Sequence, residues 1–360
     1  MNRRNFVATA GAAATALLPR GAFARSLSPL QPLITASGFC GTALVARGSA
    51  ILLHQGFGPA ERNFQTPCRP DTRYRIASIT KLFTATLIVQ LAGEGKLDLD
   101  RTIGTYLPQY PGPARDRSTL RQLLHHTSGI ENFDKGLTSF AGAQRSGMPA
   151  YQMPHSTDDL LNLFASGALA HQPGSVFDYN NADFIILGKI IEAVELSSFD
   201  QILQRRICQP LGLTATGLFP SRHIQPALAS TYYRDTGQPL GNDLPVYAEN
   251  WYAAGGMTST TADVLKFAQA LFHGNLIPGP ALAELLTPGL EDYGFGLWIG
   301  TLEANGRKYH FAQRPGRIMG ANTLLLQLLD EPLTVILLGN TNLTDTDRLG
   351  FDIAKQVLTS

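Results

Sequence analysis

Residues 79–92 read ITKLFTATLIVQLA, and this segment constrains the fold more than any other. It predicts a helix that is apolar on nearly every face, and such a helix must be covered by protein on all sides. Gly93 and Gly95 mark its end. The chain has 360 residues, 44% of them apolar, so it is long enough to build the surrounding core. The sequence therefore predicts a large domain with this helix near its centre.

Strands are predicted at both ends of the chain and helices in the middle. Residues 38–57 alternate around Arg47-Gly48-Ser49, which predicts two strands and a tight turn. A polar, Gly-rich run at 131–156 predicts a long surface loop. The other predicted elements are helices at 118–125 (capped by Ser118), 157–166, 182–195, 198–207, 261–273 and 345–358, and strands at 293–299, 307–312, 321–329 and 333–340.

This order of elements predicts an α+β fold. The simplest arrangement is one antiparallel sheet formed by both chain ends, with a mostly helical insertion between them. The α/β part would take residues from about 32–95 and 255–360, and the helical part about 96–254. The sheet part is then discontinuous in sequence.

The beginning of the chain, MNRRNFVATAGAAATALLPRGAFARS, has the pattern of an export signal. Arg3-Arg4 precedes an apolar stretch from Phe6 to Leu18, and Ala22-Phe23-Ala24 has small residues where a signal peptidase cuts. The paired arginines and the Ala-rich stretch resemble a twin-arginine signal; a buried first helix is the alternative. We expect residues 1–24 to be removed and the domain at 25–360 to be periplasmic or secreted.

The charge balance and the motifs exclude several functions. Without residues 1–24 the chain has 26 basic and 28 acidic residues, which gives no field to attract nucleic acid or an anionic membrane. No other stretch is long enough to span a bilayer. There is no metal-ligand spacing, no G-x-S-x-G elbow and no phosphate-binding glycine loop. We expect no cofactor, and the expected partners are a small-molecule substrate and the export machinery.

Ser78-Ile79-Thr80-Lys81 lies at the start of the predicted buried helix. A spacing of three puts Ser78 and Lys81 on one face, within contact. A serine hydroxyl needs a base to act as a nucleophile, and a lysine serves as that base when burial favours its neutral form. Taken alone, the pattern also fits a helix cap followed by a lysine that reaches solvent.

Two later segments can complete an acyl-transfer site. Tyr179-Asn180-Asn181 precedes the helix predicted at 182, where Tyr179 can relay a proton and Asn181 can orient a substrate amide. In Arg314-Pro315-Gly316-Arg317, Gly316 permits close backbone approach, and the N–H of Arg317 can pair with that of Ser78 as an oxyanion hole. The alternatives are a capping Asn beside a packed aromatic, and a hairpin turn with solvent-facing arginines.

Together these elements resemble the penicillin-recognising serine hydrolases, which include class C β-lactamases, family VIII esterases and D-amino-acid peptidases. Their signature is S-x-x-K, then Y-x-N, then a K/H-x-G box. Three further stretches also resemble family motifs: Leu123 to Gly129 (LLHHTSG), Phe177 to Asn181 (FDYNN) and Gly255 to Phe267 (GGMTSTTADVLKF). The resemblance spans about residues 38–357 and implies a β-lactamase/transpeptidase-like fold.

The resemblance implies a role for each matching residue. Ser78 would be acylated, Lys81 and Tyr179 would transfer protons, and Asn181 would orient the substrate. His126 and Ser128 would support the structure. The third box departs from the family, because Arg314 replaces Lys or His. Arginine stays charged, so Arg314 would hold a substrate carboxylate but could not shuttle protons.

The predicted function is therefore cleavage of a small ester, a β-lactam or a D-amino-acid peptide through an acyl-enzyme. Two alternatives remain: a protein that binds penicillin or cell-wall peptide without turnover, because Arg314 spoils a late step, and a scaffold without acylation. Cys40, Cys68 and Cys208 are an odd number, so at least one is unpaired. Folding in a reducing cytosol favours three thiols, and a Cys40–Cys68 bridge stays open.

Overall fold

The computed structural model describes residues 29–135, 140–274 and 276–359. The predicted export signal, residues 1–24, lies outside these ranges. In the described part, helices and antiparallel strands are mixed as the sequence predicts. The α+β prediction is thus confirmed. None of the helices described in these ranges is long and apolar enough to cross a membrane.

The strands range from two residues to twelve, and six of the longer ones belong to one sheet. In chain order, the described strands are β1 (Gly41–Arg47), β2 (Ala50–Phe57), β3 (Pro59–Glu61), β4 (Thr66–Pro67), β5 (Tyr74–Arg75), β6 (Gly217–Leu218), β7 (Tyr232–Tyr233), β8 (Gly241–Asn242), β9 (Met257–Ser259), β10 (Trp298–Ala304), β11 (Arg307–Ile318), β12 (Ala321–Leu328) and β13 (Leu333–Gly339).

The helices fill the middle of the chain and flank the sheet. The described α-helices are α1 (Leu30–Ala36), α2 (Thr80–Gly93), α3 (Ile103–Tyr106), α4 (Leu120–Leu124), α5 (Phe140–Ser146), α6 (Pro149–Gln152), α7 (Thr157–Asp159), α8 (Asn181–Glu195), α9 (Phe199–Leu203), α10 (Gln209–Leu211), α11 (Tyr252–Gly255), α12 (Thr261–Phe272), α13 (Gly279–Leu285) and α14 (Thr346–Thr359). Two of them, α7 and α9, continue as π-helical turns, Leu160–Phe164 and Gln204–Cys208.

The main sheet joins the two ends of the chain. Its strand order is β10-β11-β12-β13-β1-β2, and every pair is antiparallel. Along β1, Leu44 faces the core that contains α2, whereas Ala43 and Val45 face a second core formed with α1 and α14. Apolar residues therefore cover both faces of the sheet, and helices pack on each.

The central helix is α2, as predicted. Residues 80–89 are all buried, and α2 lies against α8, α11 and α13. The Phe83 ring stacks on Phe267 of α12, with ring centroids 3.6 Å apart. A helix without a polar face is stable here because protein surrounds it on every side.

Two of the predicted C-terminal strands have the wrong bounds. The strand predicted at 293–299 begins only at Trp298, because Gly294 and Gly296 form a tight turn in which the Gly294 N–H donates to Leu297 O at 2.8 Å. The strand predicted at 307–312 continues to Ile318. It tolerates Pro315 because pairing with β10 ends at Gln313, so beyond that point β11 has a strand neighbour only on the β12 side.

Two predictions for the helical part are also corrected. Ser118 does not cap a helix; Thr119 does, in a capping box with Gln122, while the Ser118 hydroxyl donates to Ser128 O at 2.8 Å. The segment 131–156 is not only a surface loop. It contains α5 and α6, and Tyr151 is 2% exposed because its ring stacks on Trp251.

Candidate active site

Ser78 lies in a short 3₁₀ turn, Ala77–Ile79, that leads directly into α2. The turn packs on β11 at Gly316. A Cβ added to Gly316 would lie 2.9 Å from the Ser78 nitrogen and 2.7 Å from Ile76 O, so only glycine allows this approach. Ala77 has a φ of 48°, which is unfavourable for a residue with a side chain. The backbone thus holds Ser78 in a strained, closely packed turn.

Lys81 lies one helical turn after Ser78 and is fully buried. Its Nζ donates to Ser78 Oγ at 3.3 Å, to Asn181 Oδ1 at 2.7 Å and to Ala254 O at 2.8 Å. Burial lowers the pKa of Lys81. Among the described residues no carboxylate forms an ion pair with this amine. Lys81 can therefore reach the neutral form that a base requires.

Tyr179 contacts the same hydroxyl from the other side. Its OH donates to Ser78 Oγ at 2.8 Å, and its ring stacks on Trp298. Burial acts to raise the pKa of Tyr179, but the positive charges of Arg314 and Lys81 outweigh burial, and the pKa lies below the ordinary value. The tyrosine can therefore give up its proton more easily than a free phenol.

Arg314 has a different environment from the one predicted. Its side chain is 1% exposed. Nε donates to Ser78 O at 2.7 Å, Nη1 donates to Tyr293 OH at 2.9 Å, and Nη2 donates to Tyr179 OH. A guanidinium enclosed in this way and bound to three protein oxygens is not open to a substrate carboxylate. The prediction that Arg314 binds such a carboxylate is corrected: it binds Tyr179 and the backbone of the nucleophile.

Asn181, the first residue of α8, links Lys81 to an acidic residue that the sequence analysis missed. Its Nδ2 donates to Asp134 Oδ2 at 2.7 Å, and the same oxygen accepts from Tyr151 OH at 2.6 Å. Asp134 therefore fixes the orientation of the Asn181 amide. The polar run around Asp134 looked like a plain loop, so no pattern in the sequence pointed to this role.

The two remaining predicted residues lie on β11 beside the turn. Gly316 makes the close approach described above. Arg317 points its side chain outward, where Nη2 forms an ion pair with Asp347 Oδ2 at 2.9 Å. Any contribution of Arg317 to the site therefore comes from its backbone N–H, and the oxyanion hole stays a prediction. The structure thus brings together Ser78, Lys81, Tyr179, Asn181, Arg314 and Gly316.

A fully buried pair of side chains, His126 and Asp183, lies beside Tyr179, and the His126 ring contacts the Tyr179 ring. His126 Nδ1 lies 2.9 Å from Asp183 Oδ2 and also accepts from the Asn180 N–H at 3.3 Å. Ser128 Oγ donates to Asp183 Oδ1 at 2.5 Å. Burial lowers the pKa of His126 well below its usual range and raises that of Asp183 well above. Both directions favour the uncharged forms, and we predict that His126 and Asp183 are both neutral in the folded protein.

The whole domain is similar to known proteins. The family model described as Beta-lactamase matches residues 32–358. The chain is 30% identical over 263 residues to the protein PbpX of Bacillus subtilis (strain 168), an alignment that covers 73% of this chain and 62% of that protein. The chain thus spans less than two thirds of the length of that relative.

Two solved structures resemble the whole domain. The penicillin binding protein from Bacillus halodurans superposes with a TM-score of 0.77 at 27% identity, covering 92% of this chain and 99% of that one. The D-stereospecific amidohydrolase from Streptomyces sp. superposes with a TM-score of 0.73, also at 27% identity, covering 89% of this chain and 96% of that one. Both therefore share the fold over almost their full length.

Asp183→Asn tests the neutral pair. The amide nitrogen can donate to His126 as the protonated carboxyl does, and the amide oxygen still accepts from Ser128. Because the folded state raises the pKa of Asp183, wild type loses stability as the pH rises above the ordinary value of 3.8, and the Asn variant does not. We expect the free energy of unfolding of the variant to equal or exceed that of wild type at neutral pH, with an advantage that shrinks toward about pH 4. Urea denaturation at several pH values measures this.

The matched control is Asp183→Ala, which removes the partner that Ser128 and His126 share. We expect it to lower the free energy of unfolding by about 1–3 kcal/mol. An Asn variant as unstable as the Ala variant at neutral pH would contradict the neutral pair and indicate a His126–Asp183 ion pair.

Arg314→Met tests the corrected role of Arg314. Without the guanidinium the pKa of Tyr179 should rise, so the ascending limb of the pH profile of kcat/KM should move to higher pH. Acidic and neutral substrates should lose activity equally. The measurement is stopped-flow or steady-state hydrolysis across pH, with Arg307→Met, an exposed arginine on the same strand, as the control. A loss confined to acidic substrates would restore the carboxylate-binding role.

Proposed function

The chain belongs to the beta-lactamase family of serine hydrolases, and from this premise we propose that it is an exported enzyme that cleaves small esters or amides through an acyl-enzyme on Ser78. One observation carries the proposal. Ser78 Oγ has hydrogen bonds to both Lys81 Nζ, at 3.3 Å, and Tyr179 OH, at 2.8 Å. A nucleophile in contact with two groups that can exchange its proton is what acyl transfer requires.

The first step is attack of Ser78 Oγ on the substrate carbonyl. Lys81 and Tyr179 form a coupled pair, so the serine proton passes to the pair as a unit. Arg314 supports this step because its charge, hydrogen-bonded to the Tyr179 oxygen, stabilises the phenolate. The N–H groups of Ser78 and Arg317 are the proposed donors to the developing oxyanion, and losing one such donor typically raises the barrier by about 3 kcal/mol.

The remaining steps of the reaction reverse these proton transfers and then repeat them with water. Tyr179 protonates the leaving group, and the acyl group remains on Ser78. The pair, again short of a proton, then activates the water that releases the acid product. Asn181 is the proposed ligand for the substrate amide, because its side chain is fixed between Lys81 and Asp134.

The proposed substrates are acyl compounds with an amide or ester bond, and D-configured amino-acid amides are the first class to test. The support is the similarity, over most of both chains, to a protein named as a D-stereospecific amidohydrolase. β-Lactams are the second class, because another similar structure is named as a penicillin binding protein.

The alternative of a binding protein without turnover depended on Arg314 spoiling a late step. Arg314 donates a hydrogen bond to the Tyr179 hydroxyl. Its fixed positive charge favours the deprotonated form of Tyr179, which can act as a base. No observation therefore favours this alternative, and it becomes an outcome of the experiment below.

Export is proposed from the sequence alone. Arg3-Arg4, the Ala-rich stretch and Ala22-Phe23-Ala24 support cleavage after residue 24 and a periplasmic or secreted enzyme.

The activity is tested with the protein lacking residues 1–24, wild type and Ser78→Ala. The substrates are the p-nitroanilides of D- and L-phenylalanine, p-nitrophenyl butyrate and a fluorescent penicillin. We expect turnover of at least one chromogenic substrate and a loss of about 10³-fold or more in the variant, because the covalent step requires the hydroxyl.

The pattern of results separates the candidates. Preference for the D-anilide would support the amidase class, and equal use of both enantiomers would contradict it. Stable penicillin labelling without turnover of any substrate would indicate the binding protein. Turnover that survives in Ser78→Ala would overturn the acyl-enzyme.

The export signal is tested by replacing Arg3-Arg4 with Lys-Lys in the full-length chain. We expect the wild-type chain to reach the periplasm of a Gram-negative host and to begin at Arg25, and the variant to stay in the cytoplasm uncleaved. Cell fractionation and N-terminal sequencing measure this. Equal export of both chains would contradict a twin-arginine signal.

A further inference from the structure

Cys40 and Cys68 lie side by side at one end of the sheet, outside the active site. Cys40 immediately precedes β1, and Cys68 immediately follows β4. Both flank Gly58: a Cβ added there would lie 2.8 Å from Cys40 Sγ, and the Cys68 N–H donates to Gly58 O at 2.9 Å. Cys40 Sγ donates to Pro59 O at 3.4 Å, and Pro59 pairs with Pro67, the residue before Cys68. The two thiols are near enough that each shifts the pKa of the other. Two segments distant in sequence thus bring the two thiols close together.

The two cysteines have different charged surroundings, because Arg62 contacts Cys40. Arg62 Nη2 donates to Cys40 Sγ at 3.8 Å, and Arg62 forms no ion pair with any carboxylate of the described residues. The neighbouring Cys68 lowers the pKa of Cys40, against the effect of burial and with help from Arg62. The neighbouring Cys40 and burial raise the pKa of Cys68. Cys40 is a thiol where it donates to Pro59 O, and it loses its proton more easily than Cys68.

Both thiols are largely enclosed, at 5% and 7% exposed. Burial slows the entry of a large oxidant, but it also keeps the two sulfurs together, so a sulfur once activated has its partner next to it. Cys208 lies alone, without either feature; burial raises the pKa of Cys208 to about 12. Cys208 can therefore serve as an internal control for the reactivity of Cys40 and Cys68.

We propose that Cys40 and Cys68 form a redox-active dithiol that a small-molecule disulfide oxidises to a Cys40–Cys68 disulfide. The Cys40 thiolate attacks one sulfur of the reagent and expels the other sulfur as a thiolate, which leaves a mixed disulfide on Cys40. Cys68 then loses its proton and attacks the Cys40 sulfur, and the second reagent thiolate leaves. The two cysteines are oxidised by two electrons, and the reagent is reduced to two thiols.

The bond would join the start of β1 to the segment that leads to Ser78. Cys68 also contacts Tyr74, whose hydroxyl is 2.8 Å from Thr42 Oγ1 on β1. These contacts already hold the two segments together. The proposal does not depend on the hydrolase function.

The test treats the reduced, folded wild-type protein with hydroxyethyl disulfide. Samples are then denatured, alkylated with iodoacetamide and analysed by peptide mass spectrometry. We expect a mass lower by two hydrogens, a linked peptide containing Cys40 and Cys68, and alkylation only at Cys208. Wild-type protein in which all three cysteines stay alkylatable, or in which Cys208 reacts as fast as Cys40, would overturn the proposal.

Three variants refine the mechanism. Cys208→Ala should form the linked peptide as wild type does. Cys68→Ser should stop at the mixed disulfide on Cys40, because the resolving sulfur is absent. Arg62→Gln should slow the reaction several-fold, because Arg62 favours the thiolate. A mixed disulfide that forms first on Cys68 in wild type would overturn the assigned order.

Discussion

The buried guanidinium of Arg314 is the interaction on which the site depends. It joins three stretches that are far apart in sequence: β11, which carries it, the turn that holds Ser78, and the loop that holds Tyr179. A third hydrogen bond, to Tyr293, fixes the guanidinium on its other side. Because arginine has several donors in a rigid plane and stays charged, one side chain can orient the nucleophile backbone and the proton-transfer tyrosine together. A shorter lysine has one nitrogen for the same three acceptors.

The electrostatics follow from this arrangement. Lys81 and Arg314 place two basic groups around Tyr179, and Asp134 is bound to Asn181 and Tyr151. The excess of positive charge stabilises the phenolate and, together with burial, disfavours the protonated amine of Lys81. Next to them, burial favours the uncharged forms of both His126 and Asp183. Removing one of these residues would leave the others with buried polar or charged groups that have no partner, which is destabilising.

The sequence predicted the helices and strands better than the contacts that individual side chains make. The apolar helix α2 and the strands at both chain ends have patterns of their own, and the spacing of Ser78 and Lys81 follows from helix geometry. The environment of Arg314 could not be predicted, because its burial depends on β11 continuing past the end of β10. Asp134 and Tyr293 had no periodic or motif signal, since tertiary contacts alone give them their roles. The wrong cap at Ser118 shows a local rule overridden by a contact with Ser128.

The pairing of β1 with β13 has a consequence for synthesis. The first strand of the sheet, β1, has one of its two neighbours almost 300 residues later, at Gly41 and Gly339 for example. Ser78 leaves the ribosome early, but the strand that carries Arg314 and the strand that completes the sheet are among the last parts to emerge. The nascent chain therefore carries Ser78, Lys81 and Tyr179 before the arginine that orients them has emerged. The full set of contacts around Ser78 therefore forms only when the polypeptide is nearly complete.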